Sequence, residues 1–408
     1  MTFHSRFRQR LLVPALLGSL AFASPALALD AEDFAATLSA AFGTLGGEIS
    51  YELATAEGDD ITLGAARLST PGQPDFDLGD LTFEDVIENG DGSYTVTRLG
   101  LADFSGKQEE TEISVSGLEL NGIRIPGVQD DTRQDQMISY ERASSGPVSV
   151  EVNGQEIFSL AAFEGRVKPR RDGAGFDIKA SADDVVIALD KIATGAPKSR
   201  KMFSELGHDK LRGDMDLNMG WDLETGRFHV REYSFTVADA GRVSMSFDIS
   251  GYTPNLIKAI GEARATAIPA PGAQTMAPAM GFAMTGPAGQ VTFRSGSIRF
   301  DDASATKKAL AYAGGKQGMT GEQMAQIIQG LMPLAVWRLG MPELQDQIAN
   351  AARTYLGNPQ NITVSANPAA PVPVPLIIST RINDPWKLAR LLNIQVTANE
   401  PVLLCCRE

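Results

Sequence analysis

Ser304-Ala305-Thr306-Lys307 has the S-x-x-K spacing in which a lysine one helical turn away deprotonates a serine nucleophile. No K-T-G follows it, and the preceding Asp301-Asp302 place Ser304 where a helix N-terminus is expected. Helix capping and a solvated lysine therefore account for these residues without chemistry. Other hydrolases need G-x-S-x-G or H-E-x-x-H, and neither occurs after residue 28. The same stretch offers only His208 and His229 as a base. His208 sits in the turn Gly207-His208-Asp209, and His229 follows Phe228 in a strand with its side chain expected away from the apolar face; both read as solvated structural histidines.

Ligand cradles are equally sparse. Gly173-Ala174-Gly175 is a lone G-x-G before a strand, and Gly314-Gly315-Lys316-Gln317 lacks the spacing of a P-loop, so both read as turns. Asn89-Gly90-Asp91-Gly92-Ser93 has oxygen ligands but not the spaced acids and final Glu of a calcium loop; a tight hairpin explains it. Asp59-Asp60, Asp130-Asp131 and Asp183-Asp184 read as solvated surface. Cys405-Cys406 are adjacent and cannot staple distant parts of a fold; a terminal vicinal or intermolecular bridge and a soft-metal thiolate pair are the two readings. Met276, Met280 and Met284 recur every four residues, and thioethers can bind Cu(I). Pro278 and Gly281 between them argue against one helical face, so an adaptable apolar segment is the preferred reading. No cofactor, no metal and no catalytic residue is assigned.

The elements around these residues are mostly strands. Asp30 is placed to cap a helix carrying Phe34, Leu38, Ala41, Phe42 and Leu45, ended by Gly46-Gly47. From there to about Gly251 the apolar period is two: Ile49, Tyr51 and Leu53; Tyr94 and Val96; Ile113 and Val115; Val148, Val150 and Val152. Turn signals such as Asn89-Gly90-Asp91-Gly92 and Asn153-Gly154 separate the runs, which predicts a long antiparallel meander. Leu211, Met215, Leu217, Met219 and Trp221 share one face, and the phase change from Phe228 and Val230 to Tyr233, Phe235 and Val237 predicts a bulge near Arg231-Glu232. Helices are expected at about 303–313, 321–338 and 343–356. Thr320 and Gln323 form a capping box, Met324, Ile327, Ile328 and Leu331 form a stripe, Pro333 is expected to kink the helix, and Gly357 ends the last one. Beyond them come a strand at Ile362 and Val364, the Pro-rich stretch Pro368 to Pro375, a return to strand at Leu376-Ile377-Ile378, a helix from Asp384-Pro385, and a last strand from Ile394 to Thr397.

Composition narrows the function classes. With 36 Lys+Arg against 50 Asp+Glu the formal charge is −14, which counts against a nucleic-acid partner. At the N-terminus, Arg6, Arg8 and Arg10 precede an apolar run from Leu11 to Ala23 and the small-residue stretch Ser24-Pro25-Ala26-Leu27-Ala28. This pattern predicts a secretory signal peptide cleaved after Ala28, the alternative being an uncleaved anchor. Removing those three arginines and no acid takes the charge from −14 to −17.

Leu206-Gly207-His208-Asp209-Lys210-Leu211-Arg212-Gly213, then Trp221-Asp222 to Gly226, then Ala240-Gly241 to Ile249-Ser250-Gly251, resemble the repeating hairpin phrase of exported bacterial envelope proteins of the AsmA-like kind. Ile298 to Ser304 followed by helices, and Pro368 to Pro375 after a strand, resemble the C-terminal part of such proteins, so the resemblance covers about 205 to 400. It implies the cell envelope and, for some relatives, lipid handling; it brings no catalytic residues.

The expected fold is α+β: an extended, curved antiparallel β-sheet, built as a meander, with a C-terminal helical insertion. The expected segments are a signal peptide at 1–28, a helix plus meander at 29–205, hairpins at 206–300, the helical insertion at 301–358, and strands with a short helix at 359–408. The expected function is that of a non-enzymatic periplasmic protein binding a lipid or other amphiphile in an apolar groove. The alternative is a structural or assembly module that binds envelope proteins through its sheet edges, and peripheral contact with a membrane fits either. Between Ala265 and Phe293 there is no charged residue, and Pro269, Pro271, Pro278 and Pro287 exclude a regular helix or central strand. Ile268, Met276, Met280, Phe282 and Met284 in this segment are the expected ligand contacts of an apolar flap. Deleting residues 270–286 tests this by native mass spectrometry and thermal melting. A flap loses ligand retention and keeps the fold, a linker loses neither, and unfolding means the segment is core.

Overall fold

Residues 29–44, 47–70, 75–127, 138–170, 174–192, 209–257, 259, 287–337, 342–383 and 385–401 are described in the computed structural model of the protein. The signal-like N-terminus, His208, Cys405, Cys406 and the flap contacts Ile268, Met276, Met280, Phe282 and Met284 lie outside them. Of the expected flap, the described C-terminal end is ordered: Pro287–Gln290 is a 3-10 turn and Phe293 is already in a strand.

A helix, α1 (Ala31–Thr44), opens the described chain. Its start is set as the sequence predicts: Asp30 Oδ1 accepts the N–H groups of Glu32 at 3.1 Å and Asp33 at 3.2 Å. Then follow β1 (Glu48–Ser50), β2 (Leu53–Glu57), β3 (Asp60–Ser69), β4 (Phe76–Glu88), β5 (Tyr94–Gly100), β6 (Phe104–Gln108), β7 (Thr111–Val115), β8 (Glu119–Ile125), β9 (Arg142–Ser145), β10 (Val148–Val152), β11 (Gln155–Leu160), β12 (Ala162–Pro169) and β13 (Gly175–Ala188). A four-residue turn of helix, α2 (Leu189–Ile192), precedes β14 (Lys210–Asp222), β15 (Arg227–Val237), β16 (Gly241–Ser250) and β17 (Thr292–Asp302). The helical insertion is α3 (Ala305–Gly315), α4 (Gly321–Trp337) and α5 (Pro342–Gly357). The chain ends in β18 (Asn361–Ala366), β19 (Val372–Pro373), α6 (Val374–Asn383), α7 (Pro385–Leu391) and β20 (Ile394–Ala398).

The sheet is an open antiparallel meander with its helices towards the C-terminus. Several strands are halves of one long bent strand. Gly100 of β5 faces Glu119 of β8 and, beyond the bend, Phe104 of β6 faces Val115 of β7 in unbroken register. The same holds for β9 with β10 and for β11 with β12. The expected bulge is present: Asn218 faces Glu232 while Met219 faces Val230, leaving Arg231 extra.

Side chains alternate along a strand, so each bend can be read as a change of face. Phe158 faces Ile187, which faces Leu211; Phe163 faces Ala182, which faces Met215. Leu211 and Met215 are four apart in β14 and share a face, so Phe158 and Phe163, five apart, also share it. The bend at Ala161 therefore shifts the phase by one. Asp103, Ser116 and Pro147 occupy the corresponding bends of the neighbouring strands, and Asp184 sits at the register shift in β13. A second line crosses Asp85, Thr97 and Gly122, because Phe83–Leu99–Leu120 and Val86–Val96–Ile123 are opposed triplets three residues apart. Gly122 has φ 60°, and a Cβ there would stand 2.8 Å from Glu141 Cγ, so a larger residue would strain the backbone and displace the Glu141 side chain.

Left-handed non-glycine residues inside strands are held by carboxylates from neighbouring strands. The N–H of Ala65 (φ 51°) donates to Asp80 Oδ1 at 2.9 Å, that of Asp85 (φ 51°) to Asp60 Oδ1 at 2.9 Å, and that of Asp184 (φ 51°) to Asp214 Oδ1 at 3.0 Å. This corrects the reading of Asp60 as mere solvated surface, since its carboxylate holds the bend at Asp85; Asp184 itself sits at a bend held by Asp214.

Packing is tightest at the N-terminal end. Phe34 of α1 meets Phe83 at 4.9 Å and Tyr94 at 5.1 Å, both edge to face. The fully buried Tyr94 hydroxyl donates to Asp33 Oδ2 at 2.6 Å, and burial followed by that carboxylate holds its phenol well above the usual range. Two expectations need correction. The alternation Ile49, Tyr51, Leu53 is interrupted, because the strand breaks at Tyr51, whose hydroxyl donates to Glu32 at 3.3 Å, and Leu53 is exposed. Leu376-Ile377-Ile378 lie in α6, not a strand; three apolar residues carry no decisive period, and Pro375 is tolerated in the first turn of a helix. The helix expected at 321–338 is present as α4, with Pro333 inside it.

Ala65 and Gly122 give opposite expectations in urea denaturation. Ala65→Gly relieves a left-handed alanine and raises stability by about 0.5–1 kcal/mol. Gly122→Ala adds both strain and the contact with Glu141, and lowers stability by more than about 1 kcal/mol.

Candidate functional site

One row of directly opposed residues crosses the sheet. It runs Ala56, Ile61, Phe83, Leu99, Leu120, Ala143, Gly165 and Ala180 through β2 to β13. It continues Leu217, Tyr233, Met245, Ile298, Val364 and Val396 through β14 to β20. Charge is absent from the row throughout. Its burial is not uniform: Ile61 is 0 % exposed under α1, whereas Ile298 is 55 % and Val364 44 % exposed. Val243, on the same face of β16 opposite Phe300, is 43 % exposed. Around these three, Tyr233, Phe235, Met245, Phe300 and Ile362 are half-buried.

This open end is a contiguous apolar surface on β15 to β20. Four strand spacings of about 4.8 Å make it roughly 19 Å long. One leaflet's share of a hydrocarbon core about 30 Å thick is roughly 15 Å, so the surface can accommodate an acyl chain. Contiguous exposed apolar patches are candidates for ligand or partner contact.

The other face is mostly polar. Beside the apolar row lies the row Glu84, Arg98, Asn121, Arg142, Arg166, Lys179, Asn218, Glu232. Arg98 bridges Glu84 at 2.5 Å and Glu119 at 3.0 Å. Glu164 lies 3.2 Å from Arg142 and 2.8 Å from Arg166, and those arginines hold its carboxyl below the usual range. Asp248 is buried and takes Arg227 in a fork at 2.6 and 3.1 Å, with Arg294 at 3.7 Å. His229 is on this face, opposite both Gly220 and Asp248. It is half-buried and not fully solvated. Burial depresses its pKa, Arg231, Arg227 and Arg170 add to the effect, and Asp248 opposes it.

Ser304 and Lys307 do not form a catalytic pair. The Ser304 hydroxyl donates to the Asp239 carbonyl, and Lys307 is exposed. The helix N-terminus is where the sequence places it, but Ser304 makes no side-chain cap: Asp302 Oδ2 accepts Thr306 N–H at 2.9 Å. The Tyr355 hydroxyl donates to the same oxygen at 2.8 Å, and burial raises that phenol's pKa. Asp91 closes the Asn89–Ser93 hairpin by accepting Ser93 N–H at 3.1 Å and Oγ–H at 2.6 Å, which lowers its pKa. Among the described residues no group of three or more His, Cys, Asp or Glu side chains is disposed to hold a metal ion.

Sequence reasoning does not single out the surface on Val243, Ile298 and Val364, although Val364 falls in an expected strand. The available signal was the alternation itself; what it does not carry is whether another element covers the face.

The fold and this surface define an open β-meander with one apolar and one ion-paired face. A protein-family model described as "Uncharacterized protein" matches residues 234–399, from within β15 to just past β20. No curated protein matches the chain. The matched span contains the exposed apolar surface and the helical insertion.

A neutral, desolvated His229 makes stability depend on pH. Its folded pKa lies below its unfolded value near 6.5, so the unfolded chain takes up the proton first and stability falls as pH drops through that region. Urea midpoints measured at about pH 7.5 and 5.5 should fall on acidification. His229→Gln should flatten that part of the profile and leave the carboxylate-dependent loss below about pH 4.5.

Proposed function

We propose that this is a non-enzymatic protein of the bacterial periplasm that holds an acyl chain of a lipid or similar amphiphile on the open apolar end of its sheet. The observation that carries the reading is the exposed patch of Val243, Ile298 and Val364 at the end of a charge-free row that is sealed at its other end. Leaving three β-branched side chains in water on adjacent strands forgoes several kcal/mol of burial, on the order of 1.5–3 kcal/mol per fully buried side chain. An apolar chain laid across the strands recovers that burial. The AsmA-like resemblance and the signal-like N-terminus support the same compartment and ligand class. The ligand's head group has no charged partner on the apolar row, so selection acts on the chain more than on the head.

Native mass spectrometry of protein isolated from the periplasm tests the reading. A copurifying amphiphile is expected, and Ile298→Asp should lose it while keeping the wild-type melting temperature within a few degrees, because residue 298 is exposed. Absence of any amphiphile, or one retained equally by Ile298→Asp, overturns the proposal.

A further inference from the structure

The helix α4 carries one broad apolar face that is covered only in part. Met324 and Ala325 are buried and Ile328 is half-buried, whereas Ile327, Leu331 and Leu334 are exposed, Leu331 at 58 %. Met324, Ile327, Ile328 and Leu331 form the expected stripe, but its Ile327–Leu331 edge is left uncovered. Spacings of four and three place Ile327, Leu331 and Leu334 in one line along the helix. The buried side is accounted for by α3 and α5, which pack on α4. The capping box that starts α4 is formed, with Gln323 N–H donating to Thr320 Oγ1 at 3.2 Å and Thr320 N–H to Gln323 Oε1 at 2.9 Å.

Charge at this place runs opposite to the rest of the chain. Across residues 305–337 the charged residues are Lys307, Lys308, Lys316 and Glu322, three basic and one acidic, a net +2 within a chain of −14. All three lysines are exposed; Lys308 Nζ donates to the Asp239 carbonyl at 2.8 Å, and Lys316 lies 4.4 Å from the centre of the Tyr312 ring. At its start α4 lies against α3, with Gly321 beside Ala311, and it folds back along α3. By the rise of a helix, Ile327 then comes level with the Lys307–Lys308 end of α3.

We propose that the α3–α4 hairpin docks on an anionic phospholipid bilayer surface, with Ile327, Leu331 and Leu334 entering the acyl boundary and the lysines of α3 facing the lipid phosphates. Apolar insertion combined with basic residues is the physical recipe of an interfacial helix. Among the described residues no helix is long and apolar enough to cross a membrane, so the contact is with the surface. The inference stands apart from the acyl-binding sheet, which lies on other elements.

Vesicle flotation of the full chain tests it, using phosphatidylcholine vesicles with and without phosphatidylglycerol at low and high salt. Wild type should bind the phosphatidylglycerol vesicles, and high salt should weaken it. Leu331→Asp/Leu334→Asp should weaken it at least about tenfold, and Lys307→Glu should weaken it chiefly at low salt. Circular dichroism of both variants should match wild type, since all three positions are exposed. No vesicle binding by wild type, or binding unchanged in Leu331→Asp/Leu334→Asp, overturns the proposal; the second result assigns the binding to another apolar segment such as residues 11–23. A dimer dissolved by the same substitutions without change in vesicle binding makes a second copy the occupant and also overturns it. Amphiphile retention by Leu331→Asp/Leu334→Asp, read by native mass spectrometry, separates this inference from the acyl-binding reading.

Discussion

Phase is the constraint on which this sheet depends. In a meander every strand must present its apolar residues to the same side, and a one-residue slip in any strand would carry its whole set to the other face. The row from Ala56 to Val396 meets that requirement across the sheet. It is met where bends intervene only because the bends lie side by side in neighbouring strands, as at Asp103, Ser116, Pro147 and Ala161. A shift in one strand alone would break both ladders beside it; a shift shared by the neighbours preserves them.

Carboxylates do much of this work, which alters the meaning of the acidic composition. Asp60, Asp80 and Asp214 accept N–H groups that a left-handed residue has turned away from the ladder. The polar face adds ion pairs such as Arg98 with Glu84 and Glu119, but these are largely exposed and solvent-screened and contribute little to stability. Their arrangement keeps that face polar and discourages the inverted register. The Arg227–Asp248–Arg294 cluster is the more consequential one, because its carboxylate is buried.

The two ends of the sheet are treated differently. At one end α1 lays Phe34, Leu38 and Ala41 on the strands, and the core there is closed. At the other, α5 packs along β20, where Gln347 Oε1 accepts Val396 N–H at 3.4 Å. Asn399 ties that strand to α5 by donating to the Asn358 carbonyl at 2.8 Å. The apolar face of β16 to β18 nonetheless stays open.

Local features were legible in the sequence because their causes are local. Asp30 caps α1, Thr320 and Gln323 cap α4, Asn153-Gly154 turns a hairpin, and the phase change at Arg231-Glu232 is a bulge; each depends on residues a few positions apart. The meander followed from alternation and turns for the same reason. What tertiary structure alone decided is which apolar residues are covered. Ile61 and Ile298 are both isoleucines alternating in strands and lie in one row, but α1 covers the first and no described side chain seals the second. In the same way Ile328 and Ile327, adjacent in α4, part company because only one side of the helix meets α3 and α5. The acids that hold the bends were hidden too, since Asp80 and Asp214 act on residues 15 and 30 positions away. Short-range spacing specifies conformation, but burial depends on partners brought together by the whole chain, and the candidate surface is defined by burial.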